Sequence, residues 1–304
     1  MEKTIHAQKG GAGSSPDFLT ILAYGLTVLF AGGNAVGVRF TVAELPPFWG
    51  AAIRFGATAI IFWLIALARR ASFPIGRAMF GVILFGFFSF GASYAFLYWG
   101  LQIVPAGLTQ VILALVPLMT FFAAFFHKLE SFRWRGLFGA LLAVSGIAYA
   151  FFEQPGENLP ILSLLAIIAG AACIAEGTVI AKLYPQQDLF MMNALGTTVG
   201  TLVLFVLSLV SGESRTLPTQ TATWVAVIYL VLFGSVVVFY LYLFVVQKWT
   251  ASATSYQFVL FPFVTVLLAG WLAGESINSA FIIGGVLVLV GVWIGALSNS
   301  ASKG

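Results

Sequence analysis

Charged side chains are scarce in this sequence: Asp, Glu, Lys and Arg together make up 8% of its 304 residues. An ordinary soluble domain carries about 25%. So little charge cannot cover a globule of this size, which excludes a soluble enzyme, a nucleic-acid-binding module and a disordered protein. Cysteine is almost absent too. The lone Cys173 permits no intrachain disulfide and no multi-cysteine metal site. Of the two histidines, His6 falls in the N-terminal tail and His127 at a loop, and neither belongs to an HExxH pattern. No GxxxxGK[ST] phosphate loop occurs, so the chain does not use ATP in that way. No cofactor and no metal are expected.

What is abundant is apolar: 61% of the residues are hydrophobic, with 30 Phe and 32 Gly. That is the mixture of lipid-facing bulk and close-contact residues found in packed membrane helices. Crossing the hydrocarbon core takes roughly 20 mainly apolar residues. Ten such stretches can be read, near 18–41, 48–68, 79–100, 106–126, 135–152, 160–181, 189–211, 222–246, 251–272 and 279–298. Residues 1–17, with Gly10, Gly11 and Gly13, read as a flexible tail. The first apolar run is too long for a signal-peptide core and counts as a span.

Basic residues set the orientation. Lys3, Lys9, Arg69, Arg70, Arg77, Lys128, Arg133, Arg135, Lys182, Lys248 and Lys303 fall on one side, against Arg39 and Arg215 on the other. Eleven against two predicts cytoplasmic termini and an even number of spans. The net charge of +4 then belongs to membrane orientation, and no nucleic acid is needed to explain it. Trp residues near the span ends, such as Trp49, Trp134 and Trp271, fit an interfacial belt.

Shifted by 145 residues, Gln102–Ala148 aligns without a gap onto Gln247–Trp293, with 12 of 47 positions identical. The identities include Pro117/Pro262, Glu130/Glu275, Ser131/Ser276, Gly139/Gly284 and Gly146/Gly291. This reads as a duplicated five-helix unit, residues 18–152 and 160–298. Five is odd, so the second copy enters from the opposite side. The charges agree: Lys128, Arg133 and Arg135 align with Ala273, Asn278 and Ala280. The expected fold is an all-α integral membrane protein of ten transmembrane helices in two five-helix, inverted-topology repeats.

On these marks, together with Pro46-Pro47 ahead of Arg54-Phe55, the chain resembles the drug/metabolite transporter superfamily in its ten-helix, EamA-type branch. The resemblance covers nearly the whole chain. It implies a secondary transporter in a bacterial inner membrane. Bacterial amino-acid exporters of that branch, with aromatic amino acids among their solutes, are the narrower match. The partners so implied are a small-molecule solute and the lipid bilayer, and a monomer is compatible with that role.

In such a carrier the solute site lies near the midplane, between the repeats. A charge at the bilayer centre costs about 2.5–3.5 kcal/mol, so each intramembrane ionisable group needs a reason. Glu176 in the sixth stretch reads either as a cavity group for a proton or ammonium, or as a carboxylate satisfied by a neighbouring helix. Arg54 in the second reads as a functional group or as a helix-to-helix brace. Asn34, flanked by Gly33 and Gly37, reads as a site residue or an interhelical hydrogen bond. Tyr94, Tyr98 and Gln102 share a helix face, with Trp99 beside them. Tyr240, Tyr242, Gln110, Tyr256 and Gln257 complete the candidate substrate-binding set, because amphipathic rings and amides suit a pocket for a planar solute. Pro117 and Pro262, inside spans at matching positions, are candidate gating bends. Glu130-Ser131 and Glu275-Ser276 read as helix caps. A membrane-embedded enzyme or a flippase for a lipid-linked substrate is the alternative. The enzyme would have only Glu176 and Arg54 to work with, and the flippase would need a long apolar groove.

Overall fold

The computed structural model describes residues 17–129, 132, 134–152, 160–184, 187–249, 251–272 and 279–294. The expected caps Glu130-Ser131 and Glu275-Ser276, and residues 1–16 of the tail, lie outside the described residues. The secondary structure of the described residues is entirely helical. In chain order the helices are α1 (Phe18–Val42), α2 (Pro47–Ala68), α3 (Arg77–Gly100), α4 (Ala106–Phe126), α5 (Trp134–Phe152), α6 (Ile161–Leu183), α7 (Leu189–Val210), α8 (Thr221–Lys248), α9 (Ala251–Ser255 and Gln257–Leu272) and α10 (Ser279–Val292). Seven of them, α1–α4 and α6–α8, are long and apolar enough to cross a bilayer.

Local chemistry places the starts. Asp17 caps α1, accepting from the Thr20 backbone N–H, and Asp188 caps α7 by accepting from Phe190 and Met191 N–H at 2.9 and 3.1 Å. Pro47 occupies the first turn of α2, where its missing N–H costs nothing. Pro105 and Pro160 stand immediately ahead of α4 and α6.

The helices exchange partners in a two-fold manner. α1 packs on α8 and α9, while α6 packs on α3 and α4; α2 packs on α7, and α5 on α10. Small residues set these crossings. On α1, Gly33 faces the Tyr229 hydroxyl and Gly37 faces Leu230, both of α8. A side chain at Gly146 of α5 would strike the backbone at Gly284, and one at Gly291 of α10 would strike the backbone at Gly139. Position 139 lies against 291 and 146 against 284, so these two helices cross antiparallel.

Loops gather at two ends. At one end Arg39 Nη1 donates to the Leu101 and Gln102 carbonyls. There too the Glu213 carboxylate accepts from the Phe48 and Trp49 N–H groups, and Glu44 accepts from Thr219 and Gln220. At the other end Lys248 pairs with Asp17 at 2.7 Å, and Gln247 Nε2 donates to the Gln187 carbonyl.

Glu44 makes the first of these ends pH-sensitive. The hydroxyls of Thr219 and Thr223, then the loop N–H groups, hold its carboxyl down to about 2 from the ordinary 4.5. A depressed carboxyl stabilises the fold above its unfolded pKa, and that contribution fades as pH falls from about 4.5 toward 2. Thermal unfolding of Glu44→Gln beside the parent in detergent checks this. The gap in midpoint is widest above pH 4.5 and closes toward pH 2; a gap indifferent to pH contradicts it.

Candidate functional site

A chamber of about 110 Å³ lies at the centre, walled by α1–α4 and α6–α9. Its surface is mainly apolar and aromatic, with Phe85, Phe90, Leu97, Phe239 and Phe261 among its walls. It is roomy enough for several waters. The polar side chains aimed into it are few, and Arg54 is the one with a full charge among the described lining residues.

Arg54 is fully buried. Its Nε donates to Ser235 Oγ at 2.8 Å and its Nη2 to the Gly234 carbonyl at 2.8 Å. Nη1 reaches toward the Tyr98 hydroxyl at 3.5 Å, a marginal contact. The guanidinium carbon stands 5.1 Å from the centre of the Tyr94 ring, 5.3 Å from Phe55 and 6.0 Å from Phe239. These aromatic faces stabilise the cation. Among the described residues no carboxylate pairs with it. A guanidinium has five N–H donors; the contacts above use three, one of them weakly.

The receiving carbonyl exists because α8 widens into a π-helical turn over Leu232–Val237. The Val238 N–H bonds to Phe233 and Ser235 carbonyls, which leaves the Gly234 carbonyl for side chains. Arg54 and Asn34 both take it, Asn34 Nδ2 donating at 3.0 Å. α3 widens in the same way over Phe87–Ala92, 145 residues earlier. There the Ser93 N–H bonds to Phe88, and the skipped Ser89 carbonyl accepts from Ser93 Oγ at 2.7 Å. The neighbouring contact is exchanged between halves. Asn34 of α1 sits on Gly234 of α8, whereas Gly177 of α6 sits on Ser89 of α3. π-turns inside helices recur at functional sites.

Of the residues singled out from sequence, Asn34, Tyr94, Tyr98, Gln110 and Tyr242 line the chamber. The Tyr242 hydroxyl is bonded to Thr178 Oγ1. Trp99, Glu176, Tyr240, Tyr256 and Gln257 are not among the lining residues. Tyr240 stacks on Phe190 with ring centres 4.6 Å apart. Tyr256 is the turn residue that divides α9. Gln257 is fully buried, and neither of its amide atoms is hydrogen-bonded among the described residues. The Glu176 carboxylate lies 2.6 Å from His127 Nε2 and ties α6 to the end of α4. The two prolines differ in setting: α4 breaks at Ala114–Leu115 just before Pro117, while Pro262 lies inside a continuous helix. Asn193 and Thr178 also face the chamber and were not picked out from the sequence. An isolated Asn in an apolar stretch was the available signal for the first.

Among the described residues three lining amide oxygens, Asn34 Oδ1, Gln110 Oε1 and Asn193 Oδ1, have no hydrogen-bond partner, nor has Thr109 Oγ1. Buried acceptors of this kind are costly unless water or a ligand satisfies them. A second cavity of about 330 Å³ lies between α4, α9 and α10. Its described walls, including Val111, Pro262, Leu267 and Ile282, carry apolar side chains.

Residues 18–152 and 161–296 each match the EamA-like transporter family. The chain therefore belongs to that family and carries its unit twice, which agrees with the drug/metabolite transporter superfamily. It is 29% identical over 248 residues to the "uncharacterized inner membrane transporter YedA" of Escherichia coli K12, covering 79% of this chain and 78% of that protein. It is 25% identical over 277 residues to the "uncharacterized transporter YyaM" of Bacillus subtilis 168, covering 87% and 89%. Protein PagO of Salmonella typhimurium is 22% identical over 276 residues, covering 88% and 90%. A solved crystal structure shares the fold at a TM-score of 0.68 and 17% identity, over 91% of this chain and 96% of that one.

Proposed function

We propose that this multi-pass membrane transporter exports small carboxylate-bearing metabolites, amino acids including aromatic ones among them, by alternating access. The observation that carries the reading is Arg54: a buried guanidinium with spare N–H donors, facing a chamber between the two halves, with no carboxylate of its own among the described residues. A substrate carboxylate supplies what it lacks, and a guanidinium fork suits a carboxylate in geometry as well as charge. The aromatic surroundings suit a flat apolar body. Amino acids enter this reading through the resemblance, and the inner membrane through the relatives' names.

The transport cycle needs ten spans in two inverted copies with both termini cytoplasmic. The 145-residue spacing of the two π-turns, the exchanged partners of α1 and α6 and the antiparallel crossing of α5 and α10 support that arrangement. Pro117 and Pro262 serve as the bends that let one half rock against the other. Among the described residues the charged and amide groups line the aromatic chamber and not the apolar crevice between α4, α9 and α10, which favours a compact solute over a lipid-linked one.

Counterflow of radiolabelled amino acids in proteoliposomes tests the function. The full chain exchanges aromatic amino acids above protein-free vesicles, and Glu176→Gln keeps the parent's KM within about twofold, since Glu176 does not line the chamber. No exchange by the parent, for any carboxylate-bearing solute, removes the proposal.

A further inference from the structure

We infer that the chamber selects a solute of net charge −1, so that an aromatic monocarboxylate is preferred to the zwitterionic amino acid of the same shape. The inference rests on the carboxylate-transporter reading and narrows it. Among its described lining residues the chamber carries one positive group and no negative one. Glu176, the acidic residue nearest in sequence to the lining Thr178, is engaged with His127 outside the lining. A carboxylate entering beside Arg54 therefore neutralises the site. An α-ammonium one carbon away brings back an unbalanced positive charge close to the guanidinium, and like charges in a poorly solvated site repel strongly.

The amide oxygens of Asn34, Gln110 and Asn193 are the opposing consideration, because they can accept from an ammonium. They are neutral, however, and equally served by water or a hydroxyl. They offer dipoles where an ammonium needs a counter-charge. Lipids and water cannot supply one at this depth. The aromatic faces around Arg54 are already committed to its own cation.

A monoanionic solute also needs no coupling residue for its export. An inside-negative potential of 100 mV drives a monoanion outward by about fiftyfold in concentration ratio. A zwitterion receives none of this.

The test uses three compounds with one phenyl ring and one chain: 3-phenylpropanoate, phenylalanine and 2-phenylethylamine. Their exchange is measured at pH 7.5 in proteoliposomes of the full chain, with protein-free vesicles subtracting passive leak. Binding is followed in parallel by ligand-induced thermal stabilisation in detergent. The expected kcat/KM for 3-phenylpropanoate is at least about tenfold above that for phenylalanine, with no exchange of the amine. With solute on one side only, a valinomycin-set potassium potential accelerates net movement of the acid alone. Arg54→Lys keeps the order of preference, and Arg54→Gln erases it. Phenylalanine moving as well as or better than the acid, or a preference that survives in Arg54→Gln, overturns the inference while the transporter reading stands. Should none of the three bind or move, the inference falls, and the transporter reading falls with it only if no other carboxylate-bearing solute exchanges.

Discussion

Arg54→Gln is expected to reach the membrane, fold, and lose transport by about 30-fold to several thousand-fold. Truncating one partner of a buried, hydrogen-bonded charge pair costs about 2–5 kcal/mol, and each 1.4 kcal/mol is a factor of ten. Stability moves far less, because two effects oppose each other. The parent's cation is held by good bonds to Ser235 and Gly234, each worth about 1.5–3 kcal/mol for a charged donor. Glutamine keeps the means to make one of them. Against the bond that is lost stands the roughly 2.5–3.5 kcal/mol that a charge at this depth costs to insert. The balance lies within about 2 kcal/mol, a shift of only a few degrees in thermal midpoint for a chain of this size. Counterflow and thermal unfolding on the same preparation check both halves. A structural brace behaves in the opposite way: large destabilisation, with transport per folded molecule retained.

Much of the architecture was legible from patterns that physics makes hard to counterfeit. Apolar stretches of about 20 residues announce helices, and an ungapped match of Pro, Glu-Ser and two separate Gly at 145 residues announces duplication. The same spacing recurs in the π-turns at Phe87–Ala92 and Leu232–Val237, although nothing in the sequence foretold a π-turn. Such a turn has no residue signature of its own. It is visible only once Ser89 and Gly234 are seen to leave their carbonyls to side chains. Asn34 was readable as a helix contact because Gly33 and Gly37 flank it, and the contact is real: both glycines face α8.

The site was less legible than the fold. Arg54 and Glu176 looked alike from the sequence, one intramembrane charge in each half. What separates them is a partner remote in the chain: His127 stands beside Glu176, whereas Arg54 finds a carbonyl and a hydroxyl 180 and 181 residues away and no carboxylate among the described residues. Tyr240 and Tyr242 differ by the same kind of fact. Two residues apart on a helix they point about 200° apart, so one stacks on Phe190 while the other meets the chamber.

Gly146→Leu and Gly291→Leu are expected to damage the fold by similar amounts and leave the chamber's chemistry alone. An added Cβ at Gly146 would stand 2.6 Å from the Gly284 carbonyl oxygen and 2.9 Å from Val288 N. One at Gly291 would stand 2.5 Å from the Gly139 carbonyl oxygen and 2.7 Å from Ala143 N. These neighbours are backbone, which cannot swing aside as a side-chain tip does, so α5 and α10 must move apart. Overpacking of this kind costs about 1–3 kcal/mol and occasionally more, and here the upper end applies. Gly285→Leu is the internal control: it lies on α10 as well, gains the same helix propensity, and its Cβ meets nothing within 4 Å. Thermal midpoints in detergent should therefore fall for the first two variants and hold or rise for the third. The double variant Gly146→Leu/Gly291→Leu should cost less than the sum of its parts, because helices already separated by one leucine leave room for the next. Full additivity would mean that the two glycines do not share one crossing. Since α5 and α10 supply none of the described chamber wall, the KM of whatever folded protein remains should match the parent, which separates this seam from the proposed site at Arg54.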